Sequence, residues 1–171
     1  MIEGVPQERR ARYLLQGPDD FVRLDTLCAE LLQGFAAWLR GEGGGLPPEE
    51  AGALAHAADR YLRDFVVDCK ETGPADEDPT LVRQYLANWY IIHTLYPTHE
   101  EIDRIIAALR RLYAYLARVG LVGEATRAAV ERSLADAAFF HDRLESFWDL
   151  TPEGIDAWRS VDDYRPRRPQ A

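Results

Sequence analysis

The sequence predicts an all-α protein, a single compact bundle of about five helices with a short C-terminal helix, and three observations carry that expectation. Apolar residues recur at alternating steps of three and four along most of the chain, the spacing that lines one face of a helix. Glycine and proline breaks separate these stretches. No stretch alternates strictly between apolar and polar over the length of a strand, and no repeat of fixed period is present.

Residues 1–18 read as an N-terminal arm, either a short docking segment or mobile, in which Arg9, Arg10 and Arg12 precede Tyr13, Leu14 and Leu15 before Gly17 and Pro18 break the chain. The bundle itself is expected over residues 19–160. Its first helix runs from Asp19 to about Arg40, with Phe21, Leu24, Cys28, Leu31, Phe35 and Trp38 on one face, and it stops at the run Gly41 to Gly45 followed by Pro47 and Pro48. Pro48 suits the first turn of the second helix, and Glu49 and Glu50 complement the positive end of its dipole. That helix extends to about Glu71 with Leu54, Ala58, Tyr61, Leu62, Phe65, Val66 and Cys69 inward, and Gly73 with Pro74 ends it.

An acidic linker follows, in which Asp78 before Pro79 reads as an N-cap with proline at the first helical position. The third helix spans about Pro79 to Leu95, turning Leu81, Val82, Tyr85, Leu86, Trp89 and Ile92 inward. Tyr96 and Pro97 turn the chain. Thr98 and Glu101 then match a capping box, in which each side chain bonds the other residue's amide. The fourth helix shows the cleanest apolar face, Ile102, Ile105, Ile106, Leu109, Leu112, Tyr113 and Leu116, and Gly120 with Leu121 resembles a glycine C-cap. A fifth helix is expected from about Glu124 to Trp148 through Ala128, Leu134, Ala138, Leu144 and Phe147. Thr151 and Pro152 open the short last helix, and residues 161–171 read as a flexible tail.

Composition narrows the function classes. The chain has 171 residues, 47% hydrophobic and 29% charged, so a folded domain of this length hides roughly 70% of its unfolded surface and needs neither disulfide nor metal to hold it. No cofactor is expected. Cys28 and Cys69 fall on apolar positions and read as buried thiols in a reducing, cytoplasmic compartment, since the start MIEGVPQERR lacks the apolar run of a signal peptide. No apolar stretch approaches the length of a membrane-spanning helix.

The net charge of −9 opposes binding to nucleic acid or anionic lipid on average. Its distribution is uneven, with residues 41–100 at a net −7 and residues 101–135 at a net +2. Any anionic partner would therefore meet the later segment. The glycine-rich run GEGGGLPPEE follows a helix rather than a strand and carries no lysine, which argues against a phosphate-cradling loop. Two histidine–carboxylate pairs, His56 with Asp59 and His141 with Glu145, share a helix face, but a helical metal site needs ligands from several helices. His93 and His99 flank the turn between the third and fourth helices. Nothing singles out a catalytic acid pair, and the chain is expected not to be an enzyme.

Tyr61-Leu62-Arg63-Asp64-Phe65 on the second helix and Ala108-Leu109-Arg110-Arg111-Leu112-Tyr113-Ala114-Tyr115-Leu116 on the fourth, ending at Gly120, resemble the N-terminal core-binding (SAM-like) domain of tyrosine recombinases, the phage integrase family. The match covers residues 54–122. It implies a DNA-binding helical domain without strand cleavage, because the recombinase catalytic domain is missing.

Two functional readings result. In the first the chain is a non-enzymatic interaction module, self-associating or bound to another protein, with Tyr13, Trp158 and Tyr164 as exposed aromatic anchors. In the second it binds nucleic acid through the fourth helix, where Arg104, Arg111 and Arg118 lie seven apart on one face with Tyr115 interleaved and Arg110 at the edge. The bland alternative pairs those arginines with the acidic excess of the second and third helices.

Overall fold

The computed structural model describes residues 7–166, and among these the regular structure is helical with no strand. In chain order the α-helices are α1 (Gln7–Ala11), α2 (Asp20–Arg40), α3 (Pro48–Asp59), α4 (Leu81–Gln84), α5 (Tyr90–His93), α6 (His99–Arg118), α7 (Glu124–Leu134), α8 (Ala137–Trp148) and α9 (Ile155–Arg159). Two π-helices join them: α3 continues directly into Arg60–Cys69, and α4 passes through Tyr85–Trp89 into α5. The all-α bundle read from the sequence is the observed architecture.

Helix α6 is its central element. All seven apolar residues expected on its inner face are buried, with Ile102, Leu109 and Leu112 fully enclosed. Its start is fixed by Thr98, whose hydroxyl accepts the Glu101 amide at 3.1 Å. The return half of the expected capping box is indirect. The Thr98 amide donates to the Tyr90 hydroxyl at 3.4 Å, and that hydroxyl donates to the Glu101 carboxylate at 2.8 Å. The end is set by Gly120, at φ 77°, while the Leu121 amide closes back on the Leu116 carbonyl at 2.8 Å.

Helices α2 and α3 pack on α6. The α2 approach is close at Gly34, where a Cβ would collide with the Tyr115 hydroxyl. Between the two π-helices lies a layer of rings. Tyr61 and Phe65 stack within the first, Tyr85 and Trp89 within the second, and across the layer Tyr61 meets Tyr85 at 5.1 Å and Phe65 meets Trp89 at 5.7 Å. The first π-helix closes with the Lys70 amide on the Phe65 carbonyl at 2.8 Å, a bond spanning five residues instead of four.

Several expectations are corrected. The fifth helix is not continuous: it breaks after Leu134, and Asp136 caps a new helix by accepting the Phe139 amide at 3.3 Å. The break shifts the inward register, so Phe140 is buried where Ala138 was expected and Ala138 is exposed. Cys69, read as a buried thiol, is only half-buried, because it ends its helix at the rim of the core, whereas Cys28 is fully enclosed.

The N-terminal arm is docked over residues 7–18: Arg10 pairs with Glu77 at 3.0 Å, and the Leu14 carbonyl accepts Arg23 at 3.2 Å. The tail is likewise held from Val161 to Tyr164. Asn88, fully buried, donates to the Val161 carbonyl at 3.0 Å, Arg83 pairs with Asp162 at 3.2 Å, and Lys70 donates to the Tyr164 carbonyl at 2.9 Å. Residues 1–6 of the arm and 167–171 of the tail lie outside the described residues.

Candidate functional site

Each of the arginines singled out on α6 has an acceptor. Arg104 pairs with Glu100 one turn back at 3.2 Å, Arg110 with Glu131 of α7 at 2.8 Å, and Arg118 with Glu42. Arg111 reaches across to the Gly43 carbonyl at 3.0 Å and is half-buried. The partners are not the acids of the second and third helices, which the sequence offered as the alternative, but those of α6 itself, α7 and the glycine-rich loop. Tyr115 is wedged between Phe35 and Trp38 of α2, with ring centroids at 5.7 and 5.5 Å. Packing against α2 thus takes it out of the exposed row.

The aromatic anchors are also relocated. Trp158 is buried, because α9 folds over α8: its indole N–H donates to the Ser146 hydroxyl at 2.9 Å, and the Arg143 guanidinium covers its ring at 3.7 Å. Arg143 is itself buried, donating to the Ala87 and Trp158 carbonyls at 2.9 Å, and desolvation pulls its pKa down to about 10. Tyr164 is half-buried edge-on against Phe65, and Tyr13 is half-buried in the docked arm.

The large apolar side chains left exposed are others: Leu95 at 82%, Tyr96 at 76% and Trp148 at 55%, with Val22 and Val161 apart from them. One sequence signal marks Leu95 and Tyr96. They follow the last inward residue of their helix and precede the Thr98 cap, where no helix face is available to bury them.

Near them the structure joins histidines that the sequence keeps 42 residues apart. His99, the first residue of α6, faces His141 of α8 with Nδ1 atoms 2.5 Å apart. His99 Nε2 bonds Glu145, and His141 Nε2 bonds Asp103 at 2.7 Å. Carboxylates only accept, so each Nε2 donates outward, and the facing Nδ1 pair is satisfied when it shares one hydrogen. These contacts clasp α8 to α6. His141 and Glu145 do share a face, as expected, but their bonds go to α6. Asp59 turns from His56 to Arg63, at 2.8 Å.

Among the described residues no group of three or more histidine, cysteine or acidic side chains is arranged to hold a metal ion, and no helix is long and apolar enough to cross a membrane. Compared with protein-family models, curated proteins and solved structures, the chain matches none.

Proposed function

We propose that this chain is a non-enzymatic helical interaction module that docks on a protein partner, a second copy of itself foremost, through the end of the bundle bearing Leu95, Tyr96 and Trp148. The carrying observation is that these exposed side chains lie toward one end of α6 and α8. His99 pairs with Glu145 and Asp103 with His141, so α6 and α8 run antiparallel. Trp148, three residues beyond Glu145, therefore lies at the level of the turn holding Leu95 and Tyr96. An exposed cluster of large apolar and aromatic side chains is the usual core of a protein contact. Light scattering over a concentration series should show mass rising above one chain, and Tyr96→Ser with Trp148→Ser should restore the monomer. A strict monomer at every concentration sinks the self-association form.

A second reading follows the resemblance to the recombinase core-binding domain and binds duplex DNA through Arg104, Arg110, Arg111 and Arg118, without the packed Tyr115. What supports it is that Arg104, Arg110 and Arg118 are exposed and their ion pairs are surface pairs, worth little and open to exchange for phosphates. Fluorescence anisotropy with a labelled duplex at low salt should then show binding that falls steeply with salt and disappears when Arg104, Arg111 and Arg118 are replaced together. No shift at low salt ends this reading.

A further inference from the structure

Where the two π-helices begin, a recess of about 160 Å³ opens between α3 and α6. Ala53 and Ala57 of α3 leave the space, and its polar wall is Arg60, Tyr85, Glu101 and Arg104 with His56 at the side. Arg60 is the first residue of one π-helix and Tyr85 the first of the other. π-Helical turns within α-helices occur often at functional sites.

Tyr85 is the telling residue. It is fully buried, and its hydroxyl has no hydrogen-bond partner. A buried polar group left unpaired costs more than an ordinary bond returns, so a native orphan calls for a reason. Among the charges that act on this hydroxyl, Arg60 and Glu101 lie in the wall of the recess and Asp64 lies outside it. Burial raises its pKa well above the ordinary phenol value, so it stays a donor at neutral pH.

The other wall groups are fixed in place. Arg60 is held by the Thr94 hydroxyl and the His93 carbonyl, each at 3.0 Å, with its guanidinium over the Trp89 ring. Glu101 is held by the Tyr90 hydroxyl. Arg104 is tethered only by a surface pair to the exposed Glu100 and can swing inward.

We propose that this recess binds a small organic monocarboxylate, which accepts a hydrogen bond from the Tyr85 hydroxyl and is neutralised by Arg60 and Arg104. Of the wall's own charges two guanidinium groups face the single carboxylate of Glu101, and once Arg104 leaves Glu100 that balance suits a monoanion better than a dianion. At the roughly 30 Å³ that each water takes in the liquid, the volume holds about five non-hydrogen atoms. Propionate and inorganic phosphate both have that size, so charge and shape rather than bulk distinguish them. The alanine wall favours the one with an alkyl end.

The test is a titration of the full chain with sodium propionate, and separately with sodium phosphate, at constant ionic strength, followed by backbone amide resonances. For so small a ligand millimolar affinity is expected. Propionate should give saturable shifts centred on Arg60, Tyr85 and Glu101, and phosphate weaker ones. Tyr85→Phe, which removes only the unpartnered oxygen and keeps the ring packing, should weaken propionate about tenfold, and Arg104→Gln should weaken it while leaving the fold intact. Shifts that never saturate, equal binding by Tyr85→Phe, or phosphate binding as tightly as propionate would each overturn the proposal.

Discussion

Helix α6 meets the first of the two π-helical segments at the Tyr61–Tyr113 hydroxyl contact, 2.7 Å long and fully buried, yet α6 and the π-helices owe their shapes to different causes. Helix α6 carries its instructions locally: a threonine cap, an apolar face at the α period and a glycine stop that takes the left-handed conformation. The π-helices carry no such punctuation. No glycine or proline interrupts Arg60–Cys69 or Tyr85–Trp89, and their apolar spacing alone reads as α-helix. What differs is cargo. Tyr61, Phe65, Tyr85 and Trp89 stack in pairs four residues apart and face one another across the interface, and the wider turn seats rings that an α-turn would crowd. Backbone geometry thus follows local signals where the core is aliphatic and yields to packing where it is aromatic.

The strongest test of that contrast is alkaline pH, because it acts on the buried rings and reaches the inner face of α6 only at Tyr113. Burial pushes the phenols of Tyr61, Tyr85, Tyr90 and Tyr113 above their ordinary value of 10.0. Below that value folded and unfolded chains are equally protonated and stability is intact. As pH rises through it the unfolded chain releases protons that the folded chain keeps, so stability falls. Denaturant melts over a pH series, read by phenolate absorbance, should show these four groups ionising only with unfolding. Smooth ionisation of all the tyrosines ahead of unfolding would show the layer to be loose.

On the α6 side, Leu109→Ala should cost about 2–5 kcal/mol in urea denaturation, since Leu109 is fully buried at the middle of the inner face. A nearly neutral result would mean that the aliphatic face is not what fixes the helix. At the junction, Tyr61→Phe should cost about 1–3 kcal/mol by stranding the Tyr113 hydroxyl. Replacing both tyrosines by phenylalanine should cost less than the two single changes added together, and strict additivity would mean that the hydroxyls act independently. The smallest effect is expected at the local signal: Thr98→Ala should cost about 1 kcal/mol through loss of the bond from the Glu101 amide.

Much of the architecture was legible because it is written in short-range order. The α6 cap, face and stop, the Gly41–Gly45 break and the Asp78 turn, whose carboxylate accepts the Thr80 amide at 2.9 Å, all depend on residues within a few positions of one another. The interruption between α7 and α8 escaped because Asp136 caps without a glycine or proline to announce it. The candidate sites were less legible. Trp158 was read as an exposed anchor and is buried, and helical phase placed the arginines of α6 on its outer side without showing which groups pair with them.

The sequence by itself determined that the chain is helical, where most helices begin and end, and which residues of α6 face inward, since caps and periodicity act through neighbouring bonds. Only the tertiary structure decided that His99 meets His141, that Tyr85 and Arg60 share one recess, that α9 buries Trp158 and that two stretches widen into π-helices. Each of these joins groups far apart in the chain, and their geometry is set by how large side chains share a finite interior rather than by any preference a residue has on its own.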